Sequence, residues 1–371
     1  MRRKSGLLRV LGRVFALIVI LGLVVGAAFA WIGFSLTAPG PLKDKKIVQI
    51  PKGDDRAAIA TFLKDQGVIS GTRLFSATAA VDEQLRHVRL KPGEYEFAAG
   101  ASMADVLASL SRGDFVKYKI TIPEGWTSQM VVNRLNDQEE LDGPVSAIPA
   151  EGSVLPETYI VTRGYSRDKL LTDMANAQDK FVEGQVSRLA PDGLIKTKEQ
   201  LVTLASIVEK ETGVAEERPE VAAVFINRLK QHMRLQSDPT VIYGIVGGKG
   251  KLDHPITKDE LEGQTPFNTY VIDGLPPSPI ANPGKAAIEA VMNPANVPYL
   301  YFVANGTGGH AFASTLEEHN ANVKKWRALT ATPETTAPKQ APLSAVVVPA
   351  EPAPTPAPKP KKPPAKKTTT P

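Results

Sequence analysis

Residues 14–36 read VFALIVILGLVVGAAFAWIGFSL, 23 consecutive residues without a charge. As a helix rising ~1.5 Å per residue, the run is long enough to cross the roughly 30 Å hydrocarbon core of a bilayer. Its glycines, Gly22, Gly26 and Gly33, are tolerated in a membrane helix, and Trp31 suits the interface at its outer end. Arg2, Arg3, Lys4, Arg9 and Arg13 all precede it. The positive-inside rule therefore places residues 1–13 in the cytoplasm and everything after the span outside. A cleaved signal peptide is the competing reading, with Ala27-Ala28-Phe29-Ala30 as its cleavage site. The apolar run continues past that site and exceeds the usual ~7–15 residues of a signal sequence, which favours an uncleaved anchor.

The opposite end is built differently. Residues 331–371 hold 12 of the 31 prolines and six lysines against two glutamates. Such a segment buries too little apolar surface to offset chain entropy and is expected to be disordered. Its KPKKPPAKK end could touch an anionic envelope polymer or lipid. The whole chain of 371 residues carries a net charge of +5, but five positive charges lie before the span and a net four in the tail, which leaves −4 for residues 14–330. A nucleic-acid-binding core is unexpected on that balance. The absence of cysteine excludes disulfides, thiolate metal sites and thiol catalysis.

Between the ends the chain reads as α+β. Over 45–125 short elements alternate: a strand at 46–50, a helix from Asp54 or Asp55 to Gln66, a helix over 70–80, a strand at 94–97, a helix over 103–110 capped by Ser102 and closed by Gly113, and a strand at 117–122. This strand–helix–helix–strand block is similar to the LysM-like modules of wall-binding proteins. A subdomain with no ligand of its own explains the pattern equally well. Residues 126–328 form a second, larger α+β region, with helical spacing over 128–135, 168–189 and 201–212.

The stretch 201–244, LVTLASIVEKETGVAEERPEVAAVFINRLKQHMRLQSDPTVIYG, carries the chemistry. On a helix, Leu201, Leu204, Ala205 and Val208 share one side with Ile207 at its edge, and Glu211 projects from that apolar side. Glu209 and Lys210 lie nearer the polar side. Burial disfavours an ionised carboxyl, and a general acid working near neutral pH needs that bias. A buried hydrogen bond or an ion pair with Arg218 or Arg228 explains Glu211 equally well on spacing alone. Val221, Val224, Phe225 and Leu229 give the next helix a core stripe. Polar and aromatic groups then gather at Gln236, Asp238, Thr240 and Tyr243, and again at Asn268 and Tyr270. Hydroxyls, amides and rings in such density suit a sugar, although Ser237 and Asp238 could simply cap a turn. The Pro-rich run 274–284 reads as a rigid loop or groove wall. Gly306–Gly309 matches no phosphate-binding pattern. With no HExxH and five histidines, no metal or cofactor is expected, and His310 reads as a hairpin residue with a structural hydrogen bond.

At LASIVEKET (204–212), VFINRLKQHMRLQSDPTVIYG (224–244), TPFNTY (265–270), GLPPSPIANPG (274–284), YLYFVANGTGGHAF (299–312) and STLEEHN (314–320), the chain resembles the YceG-like family of endolytic murein transglycosylases. The similarity extends over roughly residues 10–328. Ser278 replaces a glycine common in the family, and EGSVLPETY at 151–159 departs mildly from its usual EGxLFPDTY; both bear on loop shape. The resemblance implies cleavage of the β-1,4 bond between N-acetylmuramic acid and N-acetylglucosamine within peptidoglycan strands, with a 1,6-anhydro muramyl product. It also implies that Glu211, the second glutamate of EKET, is catalytic, and it associates the chain with peptidoglycan synthases. Gln236, Asp238, Thr240, Tyr243, Asn268 and Tyr270 are the candidates for lining the glycan groove. A muramidase that hydrolyses the same bond, with Asp238 as the residue of interest, and a non-catalytic wall-binding anchor remain as alternatives.

Overall fold

The computed structural model describes residues 4–189 and 193–330; the Pro/Lys-rich tail lies outside them. The chain divides into two compact units, one through Lys180 and one from Phe181.

The first unit opens with α1 (Lys4–Thr37), whose stretch Val10–Thr37 is long and apolar enough to cross a membrane. Phe15, Leu23, Phe29, Trp31 and Phe34 stand exposed along it. Leu36, in the last turn of the helix, and Leu42, just after it, pack against the first core, and the Gly40 N–H donates to Gly100 O at 3.1 Å. A Cβ at Gly40 would lie 2.2 Å from Ala101 O, so only glycine permits this approach. No flexible spacer therefore separates the apolar helix from the block that follows it.

That block comprises β1 (Lys46–Ile50), α2 (Arg56–Asp65), α3 (Thr72–Arg86), β2 (Gly93–Phe97) and α4 (Met103–Arg112). β1 and β2 pair antiparallel, with Val48 opposite Tyr95. Local signals set the helix starts. The Asp55 carboxylate accepts the Ala58 N–H at 2.8 Å, and Ser102 with Asp105 closes a reciprocal capping box before α4. Gly113, at φ +78°, ends α4. Ile50, Leu63, Phe75, Tyr95 and Leu110 fill the core.

The strand expected at 117–122 is β3 (Tyr118–Thr121), and it belongs elsewhere. It pairs antiparallel with β5 (Thr158–Val161), and Ile120 and Ile122 pack with Val131, Leu135, Val154, Leu170 and Met174 in a second core. That core also draws on α5 (Ser128–Asn136), β4 (Leu141–Asp142), β6 (Tyr165–Ser166) and α6 (Arg167–Val186), and β4 and β6 pair parallel. Alternation alone identified a strand at 117–122 but could not choose its partner, which lies about 40 residues downstream.

The second unit holds α7 (Lys198–Glu211), α8 (Arg218–Lys230), α9 (Asp238–Val246), α10 (Lys258–Leu261), α11 (Lys285–Met292), the antiparallel hairpin β7 (Tyr301–Ala304) and β8 (His310–Ala313), and α12 (Leu316–Thr330). α7 sits among α8, α9 and α11. Leu201, Leu204, Ile207, Val221, Phe225, Ile280 and Ile288 form its core.

Candidate active site

α7 begins at Thr197, whose hydroxyl accepts the Gln200 N–H at 3.2 Å. Every residue from Leu201 to Val208 is buried, Thr203 and Ser206 included. The helix is thus enclosed on all sides rather than on one apolar face. Among its internal polar groups, Ser206 has partners on two segments. The Ser206 hydroxyl donates to Thr203 O at 2.7 Å and accepts the Ile280 N–H at 3.0 Å, which fastens the Pro-rich run 274–284 along the helix. Glu209, expected nearer the polar side, has a side chain only 6% exposed. Its carboxylate accepts the Gly284 N–H at 2.9 Å and faces Arg218 at 3.8 Å. Carboxylate partners from another segment make that burial tolerable.

Glu211 closes α7 and is 1% exposed. Burial opposes ionisation of its carboxyl, and so does its place at the negative end of the helix dipole. The Ser237 hydroxyl donates to Glu211 Oε1 at 2.5 Å. Ser237 occupies the position immediately before α9, where a serine ordinarily caps the helix, yet its side chain makes no cap hydrogen bond. The expected capping role is replaced by the contact to Glu211.

The segment that delivers Ser237 is held from several directions. Arg228, 5% exposed, donates from Nε to Leu300 O at 2.7 Å and from Nη1 to Arg234 O, Leu235 O and Gln236 Oε1 at 3.0–3.1 Å. Its guanidinium lies over the Tyr301 ring, 5.2 Å from the centroid. Gln236 adopts φ +53°, the left-handed region, which costs a non-glycine residue about 1 kcal/mol or more. The Ser237 N–H donates to Thr269 Oγ1 at 2.9 Å, and its carbonyl accepts from Thr240 Oγ1 at 2.6 Å.

Asp238 and Tyr270 stand next to this point. The Tyr270 hydroxyl donates to Asp238 Oδ1 at 2.7 Å. Burial pushes the Asp238 carboxyl up from the usual range, and the bond from Tyr270 offsets part of that shift. Burial also raises the Tyr270 phenol strongly; the charge of Asp238 adds to this, and that of Glu211 contributes in the same direction. Glu211 and the Asp238–Tyr270 pair therefore share one electrostatic environment.

Of the six residues expected to line a glycan groove, Gln236, Asp238, Tyr243 and Tyr270 are only partly buried. Tyr243 packs edge-on against Phe267, with centroids 4.8 Å apart. Thr240 and Asn268 are fully buried and turned inward. Thr240 shares a 2.8 Å hydroxyl contact with Thr269. Asn268 Nδ2 reaches Glu260 O, Leu261 O and Gly263 O at 2.8–3.3 Å, and its Oδ1 accepts the Tyr270 N–H at 2.9 Å. These two tie neighbouring segments together. Gly244 lets the segments meet: a Cβ there would lie 2.4 Å from Thr265 Oγ1.

A further brace follows Glu211. Glu217 accepts the His310 N–H at 2.8 Å on one oxygen and faces His310 Nδ1 at 2.7 Å on the other, while Thr212 Oγ1 approaches it at 3.4 Å. A Cβ at Gly309 would lie 2.3 Å from the Glu217 carboxylate, so that glycine makes room for the grip. Sequence reasoning gave Ser237 only a turn cap and named no partner for His310. Their partners are 26 and 93 residues away, and no local pattern reports contacts of that range.

The fold and this buried carboxyl site define a class that comparison identifies. The model of the YceG-like family matches residues 48–325. An endolytic murein transglycosylase of Bacillus subtilis strain 168 is 31% identical over 345 residues, covering 82% of this chain and 91% of that protein. A protein of the same name from Streptococcus pneumoniae serotype 2 is 29% identical over 324 residues, covering 74% of this chain and 57% of its own length. A crystal structure of a YceG-like protein from Listeria monocytogenes is 31% identical and covers 75% of this chain and 99% of that one, with a TM-score of 0.49. The chain belongs to the YceG-like family.

Proposed function

We propose that the protein is a membrane-anchored endolytic murein transglycosylase that cuts the β-1,4 bond between N-acetylmuramic acid and N-acetylglucosamine within peptidoglycan strands. The observation that carries this reading is Glu211, a carboxyl buried at the end of α7 and hydrogen-bonded to Ser237. Protonated Glu211 donates to the glycosidic oxygen as the bond to muramyl C1 breaks. The muramyl C6 hydroxyl then attacks C1, and its proton returns to Glu211. No water is consumed, and the acid is regenerated with a 1,6-anhydro end as product. One carboxyl suffices because the nucleophile belongs to the substrate, whereas an ordinary hydrolase uses two at a set separation. Intramolecular attack also gains from proximity. Gln236, Asp238, Tyr243 and Tyr270 supply the polar and ring surfaces that a sugar needs.

The apolar helix anchors the chain in the cytoplasmic membrane, with its N-terminus inside and everything after the span outside, where nascent strands and their synthases meet it. Full-length protein and its Glu211→Gln variant, incubated with purified peptidoglycan, test the proposal. Wild type should release fragments with anhydro ends, while the variant, equally folded by circular dichroism, should lose at least ~100-fold in rate, the range for deleting a general acid. Near-full activity in Glu211→Gln removes Glu211 from its role.

A further inference from the structure

We infer that Ser237 is the positioning residue of the Glu211 carboxyl: its hydroxyl holds Oε1 and leaves the transferable proton on Oε2. The inference rests on Glu211 being the acid and adds what sets its protonation.

Three observations converge. Ser237 lies at a helix-capping position with an extended backbone, φ −102° and ψ 118°, but its hydroxyl makes no cap. A capping serine stabilises a helix by about 1 kcal/mol, so α9 forgoes that contribution. The hydroxyl goes instead to Glu211 Oε1 at 2.5 Å, with both residues 1% exposed. Finally, the residue before it, Gln236, is held at φ +53°, and Arg228 grips both the Gln236 side chain and the two preceding carbonyls. A backbone conformation that is itself unfavourable persists where its surroundings over-determine it. Here the buried guanidinium does so, and the bend aims Ser237 at Glu211.

The chemistry follows from direction. A carboxyl oxygen that accepts a hydroxyl proton is not the one that carries the acid proton. The Ser237 contact therefore fixes both the rotamer of the carboxyl and the oxygen that donates. It also favours the ionised form relative to an unassisted buried carboxyl, so it limits how far burial drives Glu211 toward permanent neutrality. A group that must give and then retake a proton needs both tendencies in balance.

The test uses full-length protein in detergent micelles. Ser237→Ala should lower kcat on purified glycan strands about tenfold, the equivalent of one buried hydrogen bond, with KM little changed. The alkaline limb of its pH profile should move to higher pH, because the ionised form has lost a donor. Ser237→Cys, a weak donor, should shift the limb the same way by less. Ser102→Ala, which removes a capping hydroxyl in the first unit, should leave both limb and rate as in wild type. An NMR titration of the Glu211 carboxyl carbon reads the same shift without turnover. A raised midpoint in Ser237→Ala together with an inactive wild type would contradict the proposed function and leave the Ser237–Glu211 link standing. An unshifted midpoint and an unchanged alkaline limb in both variants would overturn the inference.

Discussion

Two serines open helices in this molecule, and they are used in opposite ways. Ser102 stands before α4 with φ −70° and ψ 162°; its hydroxyl accepts the Asp105 N–H, and the Asp105 carboxylate takes the Ser102 N–H in return. Every partner lies within three residues. Ser237 stands before α9 on a similar backbone and reaches across 26 residues to Glu211. The two units differ in how many polar groups they bury. Among the described residues, the first unit buries few polar groups: Ser102 and Thr127 serve caps, while Glu94, Ser128 and Gln178 bond Arg163, Ala150 and Gly152. In the second unit Thr203, Ser206, Glu211, Arg228, Ser237, Thr240, Asn268, Thr269 and His310 are all buried, and the hydrogen bonds among them link distant segments. A buried polar network is costly unless satisfied, so its concentration around one carboxyl marks where the fold gives up simple packing for chemistry.

Substitutions that remove polar groups from each unit should sharpen this contrast. The largest effect on stability is expected at Asn268. Asn268→Ala strands three carbonyls and the Tyr270 N–H, and should cost about 3 kcal/mol in urea unfolding of the second unit, with activity lost as the Tyr270 wall loosens. Ser102→Ala breaks only a local cap. It should cost ~1 kcal/mol, read as a lower urea midpoint for the first unit, with cleavage unchanged. An equal loss of activity in both variants would erase the distinction between the units.

The smallest effect is one of pH. Burial raises the Asp238 carboxyl in the folded protein, so the folded state holds this proton more tightly than the unfolded chain. Its contribution is complete below the ordinary carboxylate value and is lost as pH rises through the raised one. Urea midpoints of wild type should therefore fall relative to Asp238→Asn across that window. A difference between the two that stays constant with pH would contradict the assignment.

What was legible in the sequence divides along the same line. A helix cap at Asp54 or Asp55, of which the structure uses Asp55, the cap at Ser102 and the stop at Gly113 were readable because each signal and its partner lie within a few residues, and the strand at 46–50 was readable from its own residues although its partner is distant. The position of Glu211 on the buried side of α7 was readable from helical spacing. The complete enclosure of α7 was not, because Ser206 looks like a solvent position until Ile280, in the run 274–284, supplies its partner. Glu209 was misplaced for the same reason. Thr240 and Asn268 carry polar groups as sugar-binding residues do, and only the fold shows those groups turned inward.

The origin of the oxygen at the new chain end tests the central claim most directly. Digestion of purified strands by the full-length protein in H₂¹⁸O, followed by mass spectrometry of the fragments, reads it. If Glu211 works alone and the muramyl C6 hydroxyl is the nucleophile, the new ends are 1,6-anhydro, one water lighter and free of ¹⁸O. Reducing ends carrying ¹⁸O would mean that water attacks C1, and would contradict the single-carboxyl account.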